Sequence, residues 1–396
     1  MVALVDLTYS EQDQSFRAEV RGWLEEHLTG EWAALKGLGG AGRDHEAHEE
    51  RVAWNRLLAE HGWTCLGWPV EHGGRGLSLG RQVIFHEEYA RADAPGRVNH
   101  LGEELLGPTL IAFGTPEQKA RFLPKIVAVE ELWAQGYSEP DAGSDLANVQ
   151  TKARRDGDEW VIDGQKVWTS NAHLSQWAFV VCRTEPGSTR HHGLSFLLVP
   201  LDQEGVEIRP IEQLTGGSEF NEVFFTGART SADLVVGEPG EGWRVAMALL
   251  GFERGVSVLG QVVGFARELA GVVDLARETG AIDDPVLRDR LAGLKVELEV
   301  MRFQALRGLA TTDPGSASVF KLVWAGWHRR LGEVAMDVAG AGGLTAGAPY
   351  ETGYDLDRWQ RLFLFSRADT IYGGSDEVQR NILAERVLGL PKEPRG

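Results

Sequence analysis

Two short segments and one carboxylate hold the residues best suited to chemistry. The first segment is Gly136-Tyr-Ser-Glu-Pro-Asp-Ala-Gly-Ser-Asp145, directly behind the apolar Leu132-Trp133-Ala134. Glycine and proline set a turn there, and serine and aspartate side chains can bond neighbouring amides. Such a turn leaves backbone N–H groups facing outward, which suits a flat, polar-edged ligand or a phosphate. The second segment, Lys166-Val-Trp-Thr-Ser-Asn171, reads as a strand carrying an indole and two hydroxyls. The carboxylate is Glu253, inside an apolar helical stretch from Val245 to Phe265. Its neighbour Arg254 is a poor ion-pair partner, because adjacent helical residues do not face each other. A carboxylate isolated in apolar surroundings holds its proton more tightly than usual, which fits a general base.

The elements that must position these groups fall into three regions. Residues 1–130 read as helical. Ser10-Glu-Gln-Asp13 resembles a capped helix start, with Phe16, Val20, Trp23 and Leu24 following at helical spacing. Arg51 to Gly62 and Leu79 to Ala92 repeat the pattern, with loops at Gly37 to Gly42 and Glu71 to Gly76. Thr115-Pro116 opens a further helix, expected to end at Pro124. Residues 131–240 turn to strands. Glu159 to Thr169 predicts two strands around an Asp163-Gly164 hairpin. Apolar runs at Trp177, Leu194, Val206 and Asn221 follow at sandwich or barrel spacing. In residues 241–396 helices return and are long: Gly242 to Arg277, Pro285 to Thr311, Ser316 to Gly340 and Arg358 to Leu388. The first and last helical regions are expected to pack on each other.

Composition narrows the class. Of 396 residues 43% are hydrophobic, ample for a core, and 25% are charged. Against 40 Lys and Arg stand 58 Asp and Glu, a formal net charge of −18 that argues against nucleic-acid or anionic-membrane binding. A local arginine can still serve a phosphate. Cys65 and Cys182 sit in apolar runs and read as buried thiols, consistent with a reducing cytoplasm. The start Met1-Val-Ala-Leu-Val-Asp6 is charged too soon for a signal peptide. No run approaches the ~20 apolar residues of a membrane span.

Some patterns carry no chemistry. Gly37-Leu-Gly39-Gly-Ala-Gly42 matches a dinucleotide fingerprint but follows no strand. His45 and His48 among Glu46, Glu49 and Glu50 read as a solvated helical face rather than metal ligands. His191-His192 sits in a polar loop.

The helical, then β, then helical plan resembles the acyl-CoA dehydrogenases. So do the Ser138-to-Asp145 run, the Trp168-Thr169-Ser170 segment and the ending Ile371-Tyr-Gly-Gly-Ser-Asp-Glu-Val-Gln-Arg-Asn-Ile-Leu-Ala-Glu-Arg386, in the same order. The resemblance covers nearly the whole chain. It implies an α+β fold with an N-terminal helical domain, a middle β-barrel or sandwich domain and a C-terminal four-helix bundle, and FAD as cofactor. Gln135 to Ser144, with Tyr137, would line the flavin, and Ser138 would donate a hydroxyl to its pyrimidine edge. Ser144 would be shared between flavin phosphate and CoA. Trp168 and Thr169 would stand against the ring, with Ser170 near its reactive nitrogen. Ser375, Asp376 and Glu377 would meet the pyrophosphate.

Many relatives carry the catalytic glutamate where this chain has Gly373. The isovaleryl-CoA and long-chain branches place it on a distant helix instead, where the matching pair is Glu253-Arg254. The resemblance thus assigns Glu253 the α-proton and Arg254 a place near the CoA pyrophosphate. Gly373 and Gly374 would lie beside the thioester, the Gly373 N–H facing its carbonyl. Phe252, Leu101 to Leu106 and the stretch up to Gln261 would shape the acyl pocket. The product would be a trans-2-enoyl-CoA, and electrons would leave through an electron-transferring flavoprotein.

In homomeric relatives two segments reach the neighbour's FAD. One is Arg-x-x-Phe-Gly, here Arg277-Glu-Thr-Gly280-Ala281; the other has Gln before a Gly-Gly pair, here Asp337-Val-Ala-Gly340-Ala341. Both departures imply a heteromer, α2β2, with a second dehydrogenase-like subunit, as in actinobacterial dehydrogenases of sterol side chains. A homotetramer is the alternative. An acyl-CoA oxidase or flavin monooxygenase on the same scaffold, or a non-catalytic partner subunit, are the competing functions.

Overall fold

The computed structural model describes residues 9–40, 42–252, 257–310, 315–345 and 356–392. Helix α1 (Glu11–His27) begins as its sequence demands: Ser10 and Asp13 close a capping box. With α2 (His48–Glu60) and α3 (Leu79–Arg91) it encloses Trp54, Leu58, Trp63 and Phe85 in an aromatic core. His45 lies in an exposed turn before α2, and half-buried His48 opens the helix, so the two share no solvated helical face. A π-helical turn, Leu101–Leu106, leads into α4 (Gly107–Phe113) and α5 (Pro116–Val127). Thr115 caps α5 in a second capping box. The helix does not end at Pro124. The proline removes one backbone donor, but Phe122, Leu123 and Ile126 are buried around it and the Ala128 N–H still reaches the Pro124 carbonyl.

The middle of the chain forms one curled sheet. Its strands are β1 (Trp133–Gly136), β2 (Lys152–Asp156), β3 (Glu159–Ser170), β4 (Trp177–Arg183), β5 (Leu194–Pro200), β6 (Val206–Ile211) and β7 (Phe220–Ser231). They run in the order β1-β4-β2-β3-β7-β6, with β5 antiparallel to β4. The expected hairpin at Asp163-Gly164 is absent. The β2–β3 turn falls at Gly157-Asp158, and β3 continues straight through Asp163-Gly164 along β7. The extra residue there is Gly227 on β7, whose N–H bonds the Asp163 carboxylate at 2.8 Å. Gly164 is required for a different reason: a Cβ would lie 2.5 Å from Thr151 Oγ1. Ten residues of β3 paired with β7 outweigh a local turn preference.

The last region contains α6 (Gly242–Phe252), α7 (Ser257–Thr279), α8 (Pro285–Ala310), α9 (Ser316–Ala339), α10 (Arg358–Phe365) and α11 (Asp376–Ile382). Helices α7, α8 and α9 pack mutually around Phe265, Leu298, Met301 and Trp327, and α10 and α11 lie on α9. Val83 of α3 belongs to the same core, so the first and last helical regions do pack together. Arg358 to Leu388 is not one helix. Helix α10 ends at Phe365, and the connection to α11 carries Gly373 and Gly374 at left-handed φ of 62° and 84° just before the Ser375 cap. Both cysteines are buried free thiols. Among the described residues no helix is long and apolar enough to cross a membrane.

Candidate active site

Strand β1 delivers the Gly136-to-Asp145 loop to the flank of β3, and a buried ion pair holds it there. On β3, Trp160, Ile162 and Lys166 are all buried. Lys166 donates from Nζ to Glu139 Oε1 (2.8 Å) and to the Tyr137 carbonyl (3.0 Å). Glu139 also accepts the N–H groups of Gln150 (2.5 Å) and Thr151 (2.9 Å). Burial works against its charge, but Lys166 and the two amides outweigh this and hold the carboxyl below its ordinary range. Burial also lowers the Lys166 ammonium, with Glu139 opposing. Removing either member strands a charge at a cost of about 3–5 kcal/mol. The Val167 N–H completes the clamp on the Ser138 carbonyl at 2.9 Å.

Immediately after this clamp the sheet presents Trp168. The β3–β7 register shifts between Lys166 and Thr169, and Trp168 is the left-handed residue of that bulge, at φ 58°. Its indole is 57% exposed and meets Phe220 edge-on, with ring centroids 6.1 Å apart. A large ring held out to solvent on a strained backbone is a candidate ligand surface. Beside it Thr169 is buried, yet among the described residues its Oγ1 has no hydrogen-bond partner. Ser170 is half-buried, and Asn171 turns the chain at φ 53°. Asn221 of β7 donates to the Thr169 carbonyl (2.9 Å), and its Oδ1 meets the His173 ring.

The second part of the candidate site is the break between α10 and α11. Ser375 caps α11, accepting from the Val378 N–H. Buried Gln379 donates back to the carbonyls of Gly373 (3.2 Å) and Gly374 (3.4 Å). Upstream, Asp369 accepts from the Tyr372 hydroxyl (2.6 Å) and meets His328 Nδ1 (2.5 Å), while its carbonyl takes Lys321 Nζ. His328 Nε2 meets Glu268 at 2.9 Å. Burial opposes the imidazolium, but the two carboxylates outweigh it and lift its pKa to about 10. This pins the turn that leads into the glycine pair to α7 and α9.

The expected residues therefore fall into two internally tied groups. Gln135, half-buried on β1, joins Ser138 and Trp168-Thr169-Ser170 on the sheet. The Tyr137 ring is buried, edge-on to the stacked rings of Phe179 and Phe196. Ser144 is exposed on the turn. Gly373, Gly374, Ser375 and exposed Glu377 form the other group. Phe252 ends α6, 38% exposed. Glu253 and Arg254 lie outside the described residues. Sequence reasoning passed over Glu139, Lys166, Asn221 and Asp369. Lys166 carried a signal: it shares the inward alternation of Trp160 and Ile162, and an inward lysine needs a carboxylate.

An exposed indole, an unpartnered buried hydroxyl beside it and a left-handed glycine pair next to a helix start form a flavin-compatible set. Models of the acyl-CoA dehydrogenase N-terminal, middle and C-terminal domains match residues 10–130, 134–228 and 240–388. The chain belongs to the acyl-CoA dehydrogenase family of oxidoreductases. It is 67% identical over 386 residues to acyl-CoA dehydrogenase IpdE1 of Mycobacterium tuberculosis, covering 97% of this chain and 99% of that one. Among solved structures, the Tcur3481-Tcur3483 steroid acyl-CoA dehydrogenase superposes with a TM-score of 0.83 at 31% identity, covering 98% of this chain and 100% of the other. The ChsE4-ChsE5 complex from Mycobacterium tuberculosis does so with a TM-score of 0.81 at 31% identity, with the same coverage.

Proposed function

We propose that this chain is a catalytic subunit of an FAD-dependent acyl-CoA dehydrogenase that converts a saturated acyl-CoA to the trans-2-enoyl-CoA. The observation that carries the reading is Trp168, displayed at φ 58° and 57% exposure above the unpartnered Thr169 hydroxyl. FAD, when bound, supplies the acceptor for the β-hydride. Trp168 and the Ser138 and Ser170 hydroxyls would hold that acceptor, and Ser375 with the start of α11 would hold its phosphates. Glu253 removes the α-proton, and the Gly373 N–H offers a donor to the thioester oxygen as negative charge builds there. Ser144, Phe252, Arg254 and Gly374 contact the thioester or its CoA. An electron-transferring flavoprotein is the expected oxidant.

Two observations favour a second, different subunit. The two solved relatives above are named as pairs of distinct chains. In this chain, moreover, the segments that would reach a neighbour's cofactor are tied to their own protomer: Arg277 pairs with Asp274 at 2.6 Å, and Asp337 with Arg290 at 2.6 Å. An aspartate at that place also brings negative charge towards FAD phosphates. The proposed assembly is α2β2, acting on bulky acyl thioesters in lipid or sterol side-chain breakdown in the cytoplasm.

The test is anaerobic bleaching of the bound flavin by a panel of acyl-CoA thioesters, with and without co-expressed partner subunit. Bleaching is expected only in the complex and is lost in Glu253→Gln. Full FAD occupancy and bleaching by this chain alone would contradict the heteromer. Unchanged flavin reduction in Glu253→Gln would remove Glu253 from the reaction. Rapid reoxidation of the reduced complex by oxygen would point to an oxidase instead.

A further inference from the structure

Helix α8 is apolar on two opposite faces. One face sets Leu291, Leu294, Leu298 and Met301 in the core against α7 and α9. The other carries Val296, Val300 and Phe303, each more than half exposed. Valine and phenylalanine are weaker helix formers than lysine or glutamate. An outward face that met only water would gain nothing from them. A helix with apolar residues on opposite sides has something to pack against on both.

The outward residues keep a strict spacing. Asp289, Gly293, Val296, Val300, Phe303 and Arg307 follow one another at alternating steps of four and three, the seam of a coiled coil. All six are exposed. This seam is complementary to itself. Laid antiparallel on a second copy, about a two-fold axis level with Leu298, it sets Val296 against the partner's Val300, Gly293 against the partner's Phe303 and Asp289 against the partner's Arg307. A Cβ built at Gly293 would meet nothing within 4 Å, so the glycine leaves a bare spot that a facing phenyl ring can cover. A parallel pairing would instead oppose aspartate to aspartate at one end and arginine to arginine at the other. The charges flanking the seam are matched within the chain: Lys295 with Glu299 at 2.5 Å, Arg290 with Asp337 at 2.6 Å, and Arg330 with Glu297. An apolar centre with a polar rim is the anatomy of a specific interface.

We propose that this face of α8 pairs antiparallel with the same face of a second copy of this chain. The pairing is isologous, so each unlike contact is made twice about the axis. In the α2β2 assembly proposed above, it joins the two copies of this chain across the molecular two-fold. That placement rests on the heteromer reading, whereas the pairing itself does not. The seam uses none of the residues assigned to the flavin or the thioester, so breaking it should divide the assembly and spare the site.

The experiment uses the FAD-loaded assembly made with its co-expressed partner subunit. Mass is read by sedimentation equilibrium and flavin by absorbance. Val300→Asp puts two carboxylates into the seam and should halve the mass while flavin per unit of protein is kept. Exposed positions of this kind seldom disturb a fold. Asp289→Arg and Arg307→Asp should each weaken the association by about tenfold, because two pairs are lost at once. Combining them should restore it. Val296→Cys with Val300→Cys should oxidise to a covalent dimer of this chain, twice its 43.4 kDa, which the wild type with its two buried thiols does not form. A cross-link to the other subunit, an unchanged mass in Val300→Asp, or a double charge reversal that recovers nothing overturns the pairing. A wild-type assembly built from this chain alone, with the cross-link still forming, overturns the heteromer and supports the pairing.

Discussion

The two halves of the candidate site are held by different forces. The sheet half is fastened from behind: the Glu139–Lys166 pair and two backbone amides clamp the Gly136-to-Asp145 loop to β3, leaving Trp168 free in front. The half between α10 and α11 is fastened from the side, by Gln379 on the glycine carbonyls and by the Asp369–His328–Glu268 chain. A sheet offers a ready ladder of backbone bonds, so it can spare an exposed indole. A broken helix has lost that ladder and must replace it with side chains. Rigid framework and displayed ligand surface are therefore separate residues on the sheet but nearly the same residues at the helix break.

Breaking the buried clamp gives the largest expected effect. Lys166→Met leaves Glu139 buried without its cation and should lower stability by about 3–5 kcal/mol, with loss of FAD, measured by urea unfolding and flavin absorbance. Next comes the His328 chain, through pH. Its pKa is raised from an ordinary value of 6.5 to about 10, so its contribution is full below pH 6.5 and drains away as pH rises towards 10. Thermal melts across that window should fall in the wild type and fall less steeply in His328→Gln. Gln379→Leu, which frees the glycine carbonyls, should cost about 1–3 kcal/mol and loosen FAD in equilibrium dialysis. Trp168→Gly is the smallest and the most telling. Glycine relieves the left-handed strain, so the apoprotein should be unchanged or stabilised by about 1 kcal/mol while FAD affinity drops. Equal losses of stability and affinity would show that the indole is framework after all.

Much of this was legible in local residues. Ser10 and Thr115 announce their helices because each cap is satisfied within four residues of chain. The order of helices and strands, and the Trp168 segment, follow from periodicity and composition. The misreadings share a cause. Asp163-Gly164 has the chemistry of a turn, but β7 pairs on both sides of it. Pro124 reads as a stop, yet three buried side chains carry α5 past it. Arg358 to Leu388 reads as one helix, yet it stops at Phe365 and restarts at Asp376, with left-handed Gly373 and Gly374 between.

Residue types, spacing and family motifs belong to the chain itself, and they sufficed for the family and its helical, then β, then helical plan. Partnership did not. That Lys166 meets Glu139 and that Asp369 holds His328 are contacts between segments 27 and 41 residues apart. Local sequence can say that a buried charge needs a partner. Only packing in three dimensions selects it, because the free energy of burial depends on what the rest of the chain brings to that point.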